Sequence, residues 1–386
     1  MQAVILCGGL GTRLRNAVTD RPKAMAPLGQ KPFLYYVVQQ LKKNGFNRFL
    51  FLTGYKAEFI ERYFSNGDFS REIEPLGTGG ALLKAFPKLE KEFCLLNGDT
   101  FFDIDYKLLL AFVKKCKTSA CLALRASQDI QRYGYIELTK DFKVQNFIEK
   151  TSLPKDLTDG YINGGIYYFR KNILAEKYEI YRGKNMSLEK EILPDLARKG
   201  LLYGLPLGGK FIDIGIPTDY RKAQTEIPQW LAEKSRPALF LDRDGTIIKD
   251  AGYVHGKNLY FYADTINLVR KYQQKNYWII VISNQSGIAK DKFTIKDAEA
   301  TNQSIYEKYL EEGIQITKII YCPYHPDGIV KKYKKRSIFR KPEAGMILSA
   351  CEEFKIDIAQ SLMYGDNKQI DKINLPYLKS KIKRGK

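Results

Sequence analysis

The chain has 386 residues, of which 44% are hydrophobic and 27% charged, and it carries a net charge of +20. Two or three globular domains fit that length, and the composition excludes a disordered or fibrous chain. No run approaches the roughly 20 apolar residues of a membrane span, and the six scattered cysteines make no disulfide framework, so the expectation is a cytoplasmic protein. The positive balance implies anionic partners: phosphosugars, nucleotides or nucleic acid.

Strand-like and helical runs alternate along the chain. Ala3–Cys7 is a short apolar run ending in glycines, with no basic leader before it, and reads as a buried strand and not a signal peptide. Pro32–Asn44 has helical periodicity, Arg48–Thr53 reads as a strand, and Glu92–Asn97 is an apolar strand ending in Gly98-Asp99. The alternation predicts an α/β protein with two Rossmann-like domains, whose mostly parallel sheets have helices on both faces. It continues to about Asp219–Thr225. The polar, proline-bounded stretch from Glu226 to Pro237 then reads as a boundary between residues 1–228 and 237–386. Beyond it, Ala238–Leu241 runs into Asp242, Tyr277–Ile282 into Ser283, and Ser361–Tyr364 into Gly365-Asp366. Each strand delivers polar residues at its carboxyl end, where open α/β sheets bind ligands.

In the first domain the opening strand ends in Gly8-Gly9-Leu10-Gly11-Thr12-Arg13. Glycines admit phosphate oxygens to successive backbone amides, Arg13 offers a forked partner for phosphate, and Lys23 adds a point-like cation. Alone, such a loop also fits an ordinary turn. Gly77-Thr78-Gly79-Gly80 is a second glycine turn, suited to close approach by a nucleoside. Asp99 and Asp213, more than a hundred residues apart, are candidate Mg²⁺ ligands, because that ion keeps several non-protein oxygen ligands. With these motifs in view, the first domain resembles the sugar-1-phosphate nucleotidyltransferases. The resemblance assigns the signature loop to Gly8–Arg13, the lysine to Lys23, the metal aspartates to Asp99 and Asp213, and sugar binding to Tyr133, Gly134, Glu149, Lys150, Asn163 and Gly164. It implies in-line attack by a sugar 1-phosphate oxygen on the α-phosphorus of a nucleoside triphosphate, with pyrophosphate leaving. The absence of proline after Arg13, together with Met25-Ala26-Pro27 and Phe211-Ile212-Asp213-Ile214-Gly215, is similar to the D-glycero-α-D-manno-heptose 1-phosphate guanylyltransferases, which take GTP. Ala24 departs from the proline usual after the lysine.

In the second domain Leu239-Phe240-Leu241-Asp242-Arg243-Asp244-Gly245-Thr246 ends an apolar strand in two aspartates. Asp242 can attack phosphorus, and Asp244 can protonate the leaving oxygen and later activate water. A calcium loop would also open with Asp-x-Asp, but its downstream glutamate is missing. Ser283 and Asn284 can hold the transferring phosphoryl, Arg340 and Lys341 can neutralise it, and Asp242, Asp244 and Asp366, with Asp371 also at hand, offer carboxylates for Mg²⁺. This set resembles the haloacid dehalogenase superfamily, specifically the D-glycero-D-manno-heptose 1,7-bisphosphate 7-phosphatases; histidinol-phosphate phosphatases share much of it. Those relatives bind zinc through three cysteines and a histidine. This chain keeps Cys322 and His325 but has Ser337 and Phe339 where the second pair is expected, so no structural zinc and a looser basic loop at Lys331–Arg336 are predicted. The short basic tail predicts an abbreviated final strand and helix.

The two resemblances imply consecutive steps, and so a magnesium-dependent bifunctional enzyme making a GDP-heptose of the kind used in lipopolysaccharide or capsule. Phosphosugars and a nucleoside triphosphate are then its partners, with no nucleic acid and no membrane, and with a homo-oligomer possible. Rival readings are a mannose- or other hexose-1-phosphate nucleotidyltransferase with a phosphatase of different specificity, a nucleic-acid end-processing protein suggested by the charge and a shared phosphatase motif, and a scaffold whose second domain only binds phosphosugar.

Overall fold

The computed structural model describes residues 1–9, 20–132, 134–148, 157–253, 256 and 259–383. The chain forms two compact units. The first comprises Met1–Arg125, Tyr133–Ser152 and Ile162–Glu233. The second comprises Ala126–Arg132, Leu153–Tyr161 and Lys234–Lys386. Among the described residues no helix is long and apolar enough to cross a membrane.

The first unit is built on β1 (Gln2–Leu6), β2 (Arg48–Thr53), β3 (Asp68–Arg71), β4 (Glu92–Asn97), β5 (Thr100–Phe102), β6 (Ala120–Ser127), β7 (Tyr135–Leu138), β8 (Val144–Ile148), β9 (Gly160–Arg170), β10 (Leu202–Pro206) and β11 (Phe211–Asp213). Nine of these make a mixed sheet in the order β8-β7-β9-β4-β1-β2-β3, with β6 bonded to β9 and to β10. β1 lies between β2 and β4 and is parallel to both. Its continuous apolar run is what a strand covered on both faces requires, and Ala3, Val4 and Ile5 are fully buried. β2 and β4 flank it on opposite sides, so the chain leaving β1 at Cys7-Gly8 enters the crevice at a topological switch point. β9 runs antiparallel to β4.

β5 and β11 form a separate two-stranded antiparallel ladder in which Thr100 faces Asp213. The helix α1 (Phe33–Lys43) supports it. Its apolar face buries Phe33, Leu34, Val37, Val38 and Leu41, and its buried Gln40 amide donates to the carbonyl of Phe102 at 2.7 Å. The helix Pro217–Ala232 runs through Pro228, so Glu226–Trp230, expected as part of the boundary, is helical. Proline inside a helix is unfavourable, but Ile227 and Trp230 are buried there, and Trp230 packs on Phe101 with ring centroids 6.1 Å apart. Tertiary packing overrides the local signal.

The second unit holds a five-stranded, wholly parallel sheet of β12 (Ala238–Leu241), β13 (Trp278–Asn284), β14 (Lys318–Cys322), β15 (Leu362–Gly365) and β16 (Lys379–Ile382), in the order β14-β13-β12-β15-β16. β12 is central and its neighbours lie on opposite sides, so a second switch point opens at its carboxyl end, where Asp242 follows. The final strand is present as the four-residue β16. The segment between β15 and β16 contains no helix.

Candidate active sites

In the first unit a cavity of about 490 Å³ opens at the end of β1. Its walls include Gly8, Gly9, Lys23, Glu72, Gly77, Thr78, Asp99 and Glu189. The Lys23 ammonium donates to Asp99 Oδ2 at 2.6 Å and to Asp213 Oδ1 at 3.3 Å. The two distant aspartates therefore meet across one cation, and the β5–β11 ladder is what brings them there. Asp213 Oδ1 also accepts from the Gly215 amide at 2.7 Å. Both carboxylates are partly exposed hard oxygen donors, which suits an ion that keeps water and phosphate ligands.

Two glycine assignments acquire a different physical basis. A Cβ on Gly77 or Gly80 would lie 2.6 Å from the Met186 carbonyl oxygen or 2.5 Å from that of Lys184. The Gly79 and Gly80 amides also donate to the Met186 carbonyl. The turn is thus glycine-rich because the 184–188 segment packs on it, while Gly77, Thr78 and Ala81 face the cavity. At Gly8 a Cβ would stand 2.6 Å from Glu72 Oε1. Glu72 is a cavity residue that the motif reading missed. Burial raises its carboxyl above the usual range, and Oε2 accepts from the Leu76 amide at 3.1 Å. Its only sequence signal is a carboxylate five residues before Gly77. Glu189 was missed as well; it accepts from Thr78 Oγ1 at 2.8 Å.

Among the sugar-binding expectations, Asn163 donates to the Tyr167 hydroxyl at 2.8 Å and accepts from the Gly165 amide at 2.9 Å. Gly164 packs so closely that a Cβ would lie 2.7 Å from the Phe102 ring. Gly134 adopts φ 87°. Gly11, Thr12, Arg13, Tyr133, Glu149 and Lys150 lie outside the described residues.

In the second unit the Lys341 ammonium donates to Asp242 Oδ1 at 2.5 Å and to Asp371 Oδ1 at 2.6 Å, all three side chains being buried. Burial pushes the Asp242 carboxyl up to about 7, against the opposing pull of the Lys341 charge. Burial alone would lower the Lys341 ammonium, but the charges of Asp242 and Asp371 outweigh it and hold it above the ordinary lysine value. Asp242, Asp366 and Asp371 each place a carboxylate oxygen within 4.8 Å of the other two. Three hard oxygen donors around one point fit Mg²⁺. Gly245, at φ 83°, makes room for this group, since a Cβ there would lie 2.1 Å from Asp366 Oδ2.

The carboxylate cluster is not the full expected set: among the described residues Asp371 joins Asp242 and Asp366, and the Asp244 side chain turns elsewhere. The reason is local. The fully buried Arg243 guanidinium clasps Asp244 through Nε and Nη2 at 3.0–3.1 Å, and Gln285 Nε2 and Ser283 Oγ donate to Asp244 Oδ2 at 2.7 and 3.2 Å. Ser283 and Asn284, expected to hold the phosphoryl through a hydroxyl and amides, have side chains bonded within the protein. Ser283 belongs to the Asp244 cluster. Asn284 clasps the Lys341 backbone, accepting from its amide at 2.9 Å and donating to its carbonyl at 3.0 Å.

The loop before Lys341, expected to be looser, makes contacts within this unit. Asp159, a member of this unit, accepts from Lys335 Nζ at 3.0 Å and from the Ile338 amide at 2.9 Å. Lys335 also lies 3.9 Å from the centre of the Tyr324 ring. At the positions expected to lack zinc ligands, Ser337 Oγ accepts from the Phe339 amide and the Phe339 ring is buried.

One unit pairs a glycine-lined crevice with two aspartates and a lysine. The other pairs a strand-end aspartate with a lysine and further carboxylates. Together they define an enzyme with a nucleotidyltransferase domain followed by a phosphatase-type domain. The chain belongs to the nucleotidyl transferase family, whose model matches residues 2–229, and residues 238–374 match the model for polynucleotide kinase 3 phosphatase. The D-glycero-alpha-D-manno-heptose 1-phosphate guanylyltransferase of Aneurinibacillus thermoaerophilus is 42% identical over 243 residues, 60% of this chain and 100% of that protein. The protein of the same description from Campylobacter jejuni is 39% identical, over 57% of this chain and 97% of its own length. The crystal structure of HddC from Yersinia pseudotuberculosis complexed with GMP-PN is 35% identical with a TM-score of 0.50, covering 58% of this chain and 97% of that one.

Proposed function

We propose that the chain makes a GDP-activated heptose in two steps. The second domain (residues 237–386) removes the 7-phosphate of D-glycero-D-manno-heptose 1,7-bisphosphate. The first domain (residues 1–228) then transfers GMP from GTP to the resulting 1-phosphate. The observation that carries the reading is the similarity of the first domain, over their whole length, to guanylyltransferases described as acting on that heptose 1-phosphate. The adjoining phosphatase domain supports it by supplying the reaction that yields such a substrate.

In the first site the Gly8 and Gly9 backbone faces the triphosphate, and Lys23 offsets charge developing on the phosphates as pyrophosphate departs. Positioning does most of the work, because no covalent intermediate is needed. Mg²⁺ held by Asp99 and Asp213 would supply Lewis-acid charge neutralisation. Glu72 supports a preference for guanine: that base presents two N–H donors on its pairing edge, and a carboxylate accepts both.

In the second site an oxygen of Asp242 attacks phosphorus. The P–O bond to the sugar breaks, and Asp244 gives a proton to the departing oxygen. Asp244 then takes a proton from the water that cleaves the aspartyl-phosphate, releasing inorganic phosphate and restoring Asp242. Lys341 holds Asp242 in place and faces the transferred group. Mg²⁺ held by Asp242, Asp366 and Asp371 would supply charge neutralisation there.

The deciding experiment incubates the full chain with Mg²⁺ and the heptose 1,7-bisphosphate, with and without GTP. Phosphate release in both cases, and pyrophosphate release only with GTP, is the expected result. Faster pyrophosphate release with mannose 1-phosphate than with the heptose 1-phosphate would replace the heptose reading with the hexose one.

A further inference from the structure

The first unit holds a second cavity, of about 710 Å³, between the helix Ala57–Tyr63 and the segment from Arg21 to Pro32. It shares a wall with the active-site cavity. Lys23 and Ala24 line the active site, and Arg21, Met25 and Pro27 line the second cavity. Lys23, Ala24 and Met25 form a single turn, closed by the Met25 amide on the Pro22 carbonyl at 2.8 Å and by the Ala26 amide on the Lys23 carbonyl at 3.0 Å. One turn therefore presents a lysine to one cavity and a methionine to the other. The chain just beyond it is anchored: the Pro27 carbonyl accepts from the Tyr220 hydroxyl at 2.6 Å and from the Gln224 amide at 2.8 Å. Within the turn, Ala24 stands in place of the usual proline, so no ring fixes the backbone there.

The second cavity combines apolar faces with positive charge. Phe59 and Tyr63, one helical turn apart, are 37% and 41% exposed, and the buried Met25 and Pro32 also line the space. Arg21, Lys31 and Arg62 bring three cations. Arg21 is already held by Asp20, at 2.6 and 2.9 Å, and lies 6.0 Å from the centre of the Phe59 ring. Lys31 and Arg62 have no carboxylate within 4.0 Å among the described residues; Lys31 lies 5.5 Å from the centre of the Tyr35 ring. Glu58, the acidic group of the wall, has the Arg71 guanidinium 3.9 Å away. Two uncommitted cations beside two exposed rings match a molecule with one aromatic end and one polyanionic end. The volume is that of a pocket for a small organic molecule and exceeds what a lone phosphate needs.

We propose that this cavity is a regulatory site for a nucleoside 5′-diphosphate, with its base against Phe59 and Tyr63 and its diphosphate on Arg62 and Lys31, and that occupancy slows nucleotidyl transfer through the Lys23 turn. The direction follows from where Lys23 stands. Its ammonium is engaged by Asp99 and Asp213, and to offset charge on the phosphates it has to leave them. A ligand packed on Met25 braces the turn as it is and opposes that move. It acts only as far as it binds this arrangement better than the reacting one. By linkage, GTP at the active site weakens the second nucleotide by the same factor. A stacked base is read by its face, so the cavity accepts ADP as it accepts GDP. The inference rests on nucleotidyl transfer by the first unit and not on which sugar it uses.

The test measures pyrophosphate release by the full chain from GTP and the heptose 1-phosphate with ADP added, and ADP binding by equilibrium dialysis, in the unaltered protein and in Arg62→Met and Phe59→Ala. Both residues are exposed and neither lines the active-site cavity. In the unaltered protein ADP lowers kcat, so its inhibition persists at saturating GTP. Each variant keeps its activity without ADP and binds ADP roughly 10-fold more weakly, as expected on losing a charge-assisted hydrogen bond or a stacked ring, and inhibition moves to correspondingly higher ADP. Inhibition that saturating GTP removes entirely places ADP in the active site and overturns the proposal. Binding and inhibition that stay the same in both variants overturn it as well. Absence of pyrophosphate release from GTP and the heptose 1-phosphate removes the reading of the first domain's substrates. Dialysis still decides the cavity in that case: weaker ADP binding in the variants supports it as a nucleotide site, and unchanged binding rejects it.

Discussion

The two units repeat one arrangement under different conditions. Each places a lysine between two aspartates at a switch point beside a central parallel strand: Lys23 between Asp99 and Asp213, and Lys341 between Asp242 and Asp371. The Lys23 side chain is 10% exposed and its partners 40% and 29%, whereas Lys341 is 2% exposed, Asp242 12% and Asp371 0%. Water screens the first trio, so its members can exchange partners when a triphosphate arrives. The second trio is sealed, and none of its charges can lose its partner cheaply. The same three groups therefore form a water-screened cluster in one unit and a sealed one in the other.

The sharpest break in the parallel is chemical. Asp242→Asn removes a nucleophile, and phosphate release falls by roughly 10³- to 10⁶-fold, while pyrophosphate release from heptose 1-phosphate and GTP continues. Phosphate release at the original rate would move the nucleophile elsewhere. Next comes Lys23→Met, which lowers kcat for nucleotidyl transfer roughly 10²- to 10³-fold by removing a preorganised cation.

Stability separates the lysines. Lys341→Met leaves two buried carboxylates without their cation and destabilises the second unit by about 3–5 kcal/mol, whereas Lys23→Met costs the first unit only about 1 kcal/mol. The chain has two tryptophans, Trp230 in the first unit and Trp278 in the second. Urea unfolding of the full chain in Trp230→Phe and Trp278→Phe backgrounds reads each unit separately. Equal losses from the two substitutions would erase the contrast in burial. The smallest effect is on selectivity. Glu72→Gln lowers the preference for GTP over ATP about 10-fold, measured as the ratio of kcat/KM values, by replacing a charged acceptor with a neutral amide. An unchanged ratio would place guanine recognition elsewhere.

The strand-end motifs were legible in the sequence because each couples an apolar run to a chemistry-bearing residue at its end. Asp99, Asp213, Asp242 and Asp366 stand at or just beyond strand ends, where that rule puts them. What escaped is what depends on which way a side chain turns. The sequence does not show that Arg243, between the two aspartates, clasps the Asp244 side chain. Asp371 joins the carboxylate cluster because the turn from Asn367 returns it to Lys341. Glu72 lies in no motif and acquires a role only when the end of β1 closes against it. The helix through Pro228 escaped because one residue's propensity argued against it, and the packing of Trp230 on Phe101 is invisible in one dimension.

The two-stranded ladder of β5 and β11 has a consequence for how this enzyme can change over time. Thr100 and Asp213 are paired by backbone, so the spacing of Asp99 from Asp213 is a matter of strand register. Swapping Phe101 or Ile212 for another apolar residue leaves that register intact. Inserting or deleting a single residue in either strand reverses every side chain beyond it. Natural or engineered descendants can drift freely in composition along this ribbon, but changes of length there abolish nucleotidyl transfer outright.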